Sequence, residues 1–458
     1  MSAHTRRPVI RRLIAVTLAL AALGASTGAL AQSASTDREA ALEARVAELE
    51  KMVKQLMAEK QAPAPGAAPA AATAAAAPAA KGPPPIQQVS IVPNAAAGTT
   101  FYFTGYAKAD ALWTTTPDGE IPDGASGRDY YVPSQTPIGQ DDEATDFGFH
   151  VKQTRLIAGT ETPLENGDKL KTHFEVDFFG SSLGTQNVTN TYAPVLRQAF
   201  FQTKHWLVGQ AWSTFQDTVA LPEAADFIGP TDGTVFVRQA QVRYTTGGFS
   251  IAAENPQTTV SVYRNNVLSS ISSDDNAFPD LIGRYVWKGD WGSVTVAGLV
   301  RELKYQTTGA NAIDASTWTA AGSLSGKIAT WGKDDVRFMV VGGNLGRYVG
   351  LNFTNDAALS ADGGLESIDG WAGFVAYRHF WTDKLRTSLF YSLGDYDNDA
   401  SLVGPNANKA SESWTLNLFY SPIPKLDIGA EYRWAQREIE SGDEGTLNRF
   451  QLTSKYSF

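Results

Sequence analysis

The chain has 458 residues, of which 43% are hydrophobic and 19% charged, and its formal net charge is −10. This composition is too polar for a bundle of membrane-spanning helices. The absence of cysteine excludes disulfide bonds and thiolate metal sites. The 41 glycines and the 11% of aromatic residues favour a β-rich protein over a helical one.

The N-terminus has the three parts of a secretory signal peptide. Four arginines up to Arg12 precede an apolar run from Leu13 to Gly24, and Ala29-Leu30-Ala31 matches the small-residue cleavage motif. We therefore predict a signal peptide at residues 1–31. Its removal takes the net charge from −10 to −14, because four positive charges leave. A membrane-anchoring helix is the alternative, but the apolar run is shorter than the roughly 20 residues that span a bilayer.

A short heptad pattern at residues 32–60 predicts a coiled-coil helix. Valine occupies position a and leucine position d, in the order Leu42, Val46, Leu49, Val53 and Leu56. Three heptads are marginal alone, so this helix needs partners that other parts of the chain hold together. Valine at a with leucine at d favours two strands, and a single amphipathic helix on another surface is the alternative. Residues 61–98 are rich in alanine and proline and predict a semi-rigid linker.

Residues 99–458 alternate apolar and polar side chains at period two, which predicts strands with one apolar and one polar face. In the last strand, Phe450 and Leu452 alternate with Arg449 and Gln451. About 16 strands can be placed, joined by links that are alternately short and long, as in outer-membrane barrels. The predicted fold class is therefore all-β: a 16-stranded antiparallel transmembrane β-barrel preceded by the coiled-coil helix. An even strand number places both chain ends, and with them the heptad helix, in the periplasm.

The chain ends in Phe458, with Tyr456 two residues before it. This ending resembles the C-terminal aromatic signal that outer-membrane barrels present to the barrel-assembly machinery. Together with the signal peptide, it predicts a protein of the bacterial outer membrane with lipid as its surroundings.

Several stretches resemble the DcaP-like family of outer-membrane porins. They are VGQAWSTF at residues 208–215, FVRQAQVRY at 236–244, KDDVRF at 333–338, YRHFWTDKLR at 377–386 and GAEYRW at 429–434. The heptad segment is also similar to the family. The resemblance implies a homotrimer of 16-stranded barrels and passive uptake of small anions such as dicarboxylates.

Arginines fall inside the predicted strands, whereas acidic residues cluster in the long links. Facing lipid near the midplane, each arginine would cost a few kcal/mol, so we expect the arginines to line a water-filled lumen and attract anions. The alternative is that they only pair with lumen acids such as Asp110, Glu175, Asp177 and Glu431. The predicted pore-lining residues are Arg155, Arg197, Arg243, Arg284, Arg301, Arg337, Arg378 and Arg433, with Arg386 and Arg449 as further candidates.

The third long link, residues 214–233, is expected to fold inward and narrow the pore, by resemblance to 16-stranded porins. Its acids would then face the lumen arginines across a constriction, whereas a plain surface loop is the alternative. These acids are Asp217, Glu223, Asp226 and Asp232.

No catalytic set stands out in the sequence. The mature chain has four histidines, His150, His173, His205 and His379, and none has a metal-ligand spacing such as H-x-x-x-H. We predict no enzyme activity, no cofactor, no metal and no nucleic-acid partner. An outer-membrane hydrolase and a structural or adhesive barrel with a plugged lumen remain as alternatives, and ion conductance separates a porin from both.

Overall fold

The computed structural model describes Lys51, Ala96 and residues 98–140, 142–180, 189–310 and 312–458. The predicted signal peptide, heptad helix and linker lie almost entirely outside these residues. Within the described residues, no helix is both long and apolar enough to cross a membrane.

Strands dominate the described chain. They are β1 Thr100–Thr116, β2 Ala144–His150, β3 Arg155–Pro163, β4 Lys169–Asp177, β5 Val195–Gln202, β6 Trp206–Trp212, β7 Arg238–Thr246, β8 Phe249–Glu254, β9 Thr258–Arg264, β10 Val267–Ser273, β11 Asp280–Gly289, β12 Gly292–Gln306, β13 Asp314–Ala329, β14 Asp335–Asn344, β15 Ala357–Leu359, β16 Leu365–Ser367, β17 Asp369–Phe380, β18 Leu385–Asp397, β19 Asn408–Tyr420, β20 Leu426–Ile439 and β21 Glu444–Ser457. The described helices are short: 3-10 turns at Ser126–Arg128, Pro133–Gln135, Thr231–Gly233 and Gly346–Tyr348, and one α-helical turn at Ala400–Val403.

Antiparallel pairing between the first and last strands closes the sheet into a barrel. Strand β1 pairs with β21 from Tyr106 opposite Ser457 to Thr115 opposite Asn448. Strands β2 and β3 both pair with β1, one along its second half and the other along its first. They therefore form one interrupted crossing, and the barrel has 16 strands, as the sequence predicted.

The two faces of the strands separate as the alternation predicted. On β1, the Phe103 side chain is 57% exposed to the outside, whereas Lys108 and Asp110 are buried inside. On β21, Phe450 and Leu452 are exposed and the intervening polar side chains are buried. The outer surface is therefore apolar and the inner surface polar, as a lipid-embedded barrel requires.

Two long links contain strands of their own, which the sequence reading had treated as plain loops. Loop L4 (residues 255–279) holds the hairpin β9–β10, and loop L6 (residues 345–368) holds β15–β16. The four strands form a second sheet in which β9 and β15 run parallel. The hairpin signal was present in Asn265-Asn266, whose positive φ angles of 53° and 60° suit the tight turn that asparagine favours.

A buried ion pair ties L4 and L6 to the barrel wall. The Arg301 guanidinium on β12 lies 2.6 Å from Asp356 of L6 and 3.5 Å from Asp280 of β11, and it donates to the Gln257 carbonyl of L4. Its side chain is fully buried. The expectation that Arg301 lines an open pore is therefore wrong, because its guanidinium is buried and paired with Asp356 and Asp280.

Replacing Arg301 with Met should release L6 without unfolding the barrel. Breaking a buried pair from one side costs about 3–5 kcal/mol, since Asp356 would remain charged and buried. Limited trypsin digestion of folded protein should then cut after Arg347 in L6. Arg264→Met, at the exposed end of β9, is the control. Trypsin resistance equal to that of the unaltered protein would contradict this role.

Candidate pore

The third long loop, L3 (residues 213–237), folds into the barrel and is held there by wall arginines. Arg386 on β18 makes two bonds of 2.6 Å to the two carboxylate oxygens of Glu223. Arg433 on β20 donates to the Gly229 carbonyl at 2.7 Å, and Arg337 on β14 donates to the Leu221 carbonyl. These arginines anchor the loop, and Arg433, predicted to line the pore, is instead buried beneath it.

The four acids of L3 serve different purposes. Glu223 faces an arginine across the loop–wall contact, whereas Asp217 accepts from the Ser325 hydroxyl at 3.0 Å. Asp226 accepts from the backbone amides of Ile228 at 3.0 Å and Tyr131 at 2.9 Å. The expected row of acids opposite lumen arginines is therefore replaced, in three of the four cases, by bonds that shape the loops.

Asp232 of L3 and Tyr131 of loop L1 (residues 117–143) form a buried pair. The Tyr131 hydroxyl donates to the Asp232 carboxylate at 2.7 Å. Burial raises the pKa of Tyr131 well above its usual value, and the nearby carboxylate raises this pKa further. The phenol therefore keeps its proton and remains a donor that joins the two loops. Burial also raises the pKa of Asp232, against the opposing effect of its hydrogen bonds from Ser413 and Tyr131.

Loop L1 also turns inward, which the sequence reading missed. Arg437 on β20 donates to the Thr136 carbonyl at 2.8 Å, and Arg449 on β21 donates to the Gly127 carbonyl. Neither bond involves an acidic side chain. No pattern of charged residues in the sequence could therefore have indicated that L1 folds inward.

L3 lies against a part of the barrel wall whose inner face is unusually apolar, whereas L1 packs against β20 and β21. The inner face of β11 to β17 carries Ile282, Leu299, Met339 and Phe374, and L3 covers it with Phe215 and Val235. Burying such side chains contributes about 1.5–3 kcal/mol each. The interior along β11 to β17 is thus a packed core, and the space along the opposite wall, β3 to β8 (the open half), is the candidate pore.

A charge cluster occupies the wall of that open half. Arg197 on β5 lies 2.7 Å from Glu175 and 2.6 Å from Asp177, both on β4. Arg155 on β3 lies 3.3 Å and 3.7 Å from the same two carboxylates. Two arginines therefore share two acids, which agrees in part with the alternative of neutral lumen pairs.

Arg238, which the sequence reading did not select, adds a third guanidinium to this cluster. It lies 5.2 Å from the centre of the Trp212 ring, whose other neighbour is Arg197 at 5.8 Å. No salt bridge to Arg238 occurs within the described residues. Arg238 was missed because it begins β7, where counting in twos from Arg243 assigns it to the outer face.

Aromatic rings from three loops face this cluster. Tyr130 of L1 lies 5.2 Å from both Phe179 of the second long loop and Phe227 of L3, and Phe179 and Phe227 are 4.5 Å apart. Arg197 lies 5.1 Å from the Phe227 ring centre. The narrow part of the open half therefore has guanidinium groups on the wall side and ring faces on the loop side.

The space on either side of this narrow part differs in charge. Toward the outside, a cavity of about 520 Å³ is lined by acids and cations in contact: Arg128 lies 2.8 Å from Asp146 and 3.1 Å from Asp123, and Lys152 lies 2.5 Å from Asp129. Toward the periplasm, a cavity of about 210 Å³ is lined by Arg243 and Arg284.

The predicted basic residues thus divide into groups. Arg155, Arg243 and Arg284 are partly exposed in the open half, whereas Arg197 is buried in that wall between its two carboxylates and the rings of Trp212 and Phe227. Arg378 contacts Asp335 on the neighbouring strand at 2.5 Å and braces one wall strand against another, whereas Arg337 contacts both Asp335, at 2.7 Å, and L3.

Comparison with known proteins agrees with this geometry. The model of the family described as DcaP outer membrane protein matches residues 146–458, more than half of the chain. The chain belongs to the DcaP outer membrane protein family. It is accordingly an outer-membrane channel protein, and the resemblance drawn from the sequence is confirmed.

Several solved structures are similar to this chain at low sequence identity. The outer-membrane channel DcaP of Acinetobacter baumannii is 21% identical, with a TM-score of 0.66 over 80% of this chain and 99% of that one. OmpT of Vibrio cholerae is 13% identical with a TM-score of 0.48, over 79% of this chain and 98% of that one. OmpF of Salmonella typhi is 12% identical with a TM-score of 0.48, over 78% and 97%. A search of curated proteins found no match.

The salt bridge between Arg386 and Glu223 should restrain the motion of L3. Arg386→Gln removes two charge-assisted bonds worth about 1.5–3 kcal/mol each, so L3 should move into the open half. We expect a noisier open-channel current and a lower mean conductance in planar bilayers. Arg378→Gln is the matched control, because its partner is a wall strand. Equal noise in the two variants would show that Arg386 does not hold the loop.

Proposed function

We propose that this family member is a diffusion porin that prefers small organic anions, including dicarboxylates. The observation that carries the proposal is the charge of the open half. Four partly exposed arginines, Arg155, Arg238, Arg243 and Arg284, stand along its wall, and two carboxylates, Glu175 and Asp177, are shared between Arg155 and the buried Arg197. The positive excess lies where a solute would pass.

In a narrow pore, this excess of positive charge favours anions over cations. Walls of low dielectric constant focus the field of the arginines and screen it less than bulk water does. The planar guanidinium also matches a carboxylate with two parallel donors.

The alternative of a structural barrel with a plugged lumen draws support from one observation, the packed half of the interior. A plugged barrel would leave no continuous ion path through the arginine-lined half. Step increases of current in planar bilayers at low protein concentration would support the porin, and their absence would support the plugged barrel.

We further propose a homotrimer whose heptad helix, at residues 32–60, lies in the periplasm after removal of residues 1–31. Residues 61–98 would link this helix to the barrel at 99–458. Phe458, whose amide bonds to the Gly105 carbonyl at 3.0 Å, would be recognised by the barrel-assembly machinery before β21 closes on β1.

Anion preference should depend on the arginines that carry no salt bridge. Replacing Arg238, Arg243 and Arg284 together with Gln should lower the chloride-to-potassium permeability ratio about fivefold or more in dilute salt. The effect should shrink at 1 M salt, where the screening length is about 3 Å. Arg378→Gln serves as the control, and the measurement is the reversal potential in a KCl gradient. An unchanged ratio in the triple variant would remove the basis of the proposal.

The trimer should survive loss of the N-terminal segment, because three heptads are too few to hold chains together alone. Deleting residues 32–85 should leave trimers in mild detergent, as judged by light scattering of the purified protein. Monomers after this deletion would instead assign assembly to the coiled coil.

A further inference from the structure

The cavity on the periplasmic side of the narrow part has the features of a binding subsite. It measures about 210 Å³ and lies between the wall strands β5–β7 and β11 and the first residues of L3. Arg243 on β7 and Arg284 on β11 line it, with only β8 between their strands. Arg284 is fixed in part by a bond of 3.2 Å to the Gln216 carbonyl.

The two guanidinium groups are not neutralised by contact with an acid. No carboxylate of the described residues lies within 4.0 Å of either one, the distance at which other arginines of the barrel form salt bridges. The nearby acids are otherwise engaged. Glu254 accepts from the Thr214 amide at 2.6 Å and from Gln239 at 2.5 Å, and Asp217 accepts from Ser325.

Carboxamides complete the lining and add acceptors to it. The Gln198 amide nitrogen donates to Glu175 at 2.7 Å, so the oxygen of this amide is the atom left to accept a bond. Gln202 is exposed at the cavity. Gln216 is 1% exposed, and neither end of its amide has a partner among the described residues. A ligand that satisfies this lining needs acceptor oxygens for the arginines and a proton donor for the Gln198 oxygen.

We infer that this cavity is a subsite for small oxyanions that carry an O–H group, such as hydrogen phosphate. Sulfate matches phosphate in shape but has no proton to donate at neutral pH, so it satisfies the arginines and not the Gln198 oxygen. The volume corresponds to about seven water molecules at roughly 30 Å³ each, enough for such an anion with some hydration. The inference rests on the proposed entry of anions into the open half. It adds a binding site for the anions that carry an O–H group.

Block of the chloride current by added anions tests the subsite. The full-length protein is placed in planar bilayers in dilute KCl at pH 7, and inorganic phosphate or sulfate is added on the periplasmic side. We expect phosphate to reach half-block at a concentration about fivefold or more below that of sulfate, since one additional hydrogen bond forms. Malate against succinate forms the second pair, which differs in a hydroxyl on an organic acid. Preference within either pair supports the subsite, and the pair that shows it identifies the inorganic or organic ligand.

Two variants assign the effect to the cavity. Arg243→Gln with Arg284→Gln should weaken block by all four anions. Gln198→Met with Gln202→Met should keep the block but abolish the preference for the O–H partner of each pair. Lys204→Gln with Lys288→Gln, at or next to exposed turns on the same side of the barrel, is the charge-matched control for the arginine variant. Heat-dependent gel mobility confirms that each variant is folded.

Equal block within both pairs in the unaltered protein would overturn the subsite. So would block that the arginine substitutions leave unchanged. The reversal potential in KCl alone measures anion preference without any of these ligands. Failure of the subsite and failure of the proposed function therefore give different results.

Discussion

The structure depends on one constraint: a backbone that crosses a bilayer must satisfy its hydrogen bonds within the protein. Pairing of β1 with β21 meets this constraint by leaving the barrel no open edge. Closure then fixes the chemistry of each face, because alternate residues must face lipid on one side and the interior on the other. Charged side chains can be accommodated only on the inner face, which is where the lumen arginines lie.

The charged side chains inside the barrel need hydrogen-bond partners, and the inward loops supply many of them. L3 and L1 supply carbonyl groups to buried arginines such as Arg433 and Arg449. L3 also covers the apolar inner face of β11 to β17 and so completes a core around Met339. The proposed passage runs along the wall from β3 to β8 and β11, where Arg284 meets L3 through the Gln216 carbonyl.

Much of the fold followed from the sequence, because period-two alternation and the order of short and long links are both consequences of barrel closure. The interrupted crossing at β2 and β3 and the sheet formed by L4 and L6 did not follow, since both depend on contacts between distant segments. The role of each arginine was the least predictable. Arg301 and Arg243 occupy the same kind of strand position. Only the tertiary structure distinguishes the one that meets Asp356 from the one that faces an open cavity.

The central claim is that anions pass along the arginine-lined half of the barrel and not the packed half. The chain has no cysteine, so single cysteines can report on each half. Gln202→Cys lies at the open half, and Ser388→Cys lies on the wall beneath L3. The measurement is the rate at which anionic and cationic methanethiosulfonate reagents change the chloride current of each variant. The account predicts modification at residue 202, faster with the anionic reagent, and none at residue 388. Faster modification at 388, or a preference for the cationic reagent at 202, would contradict it.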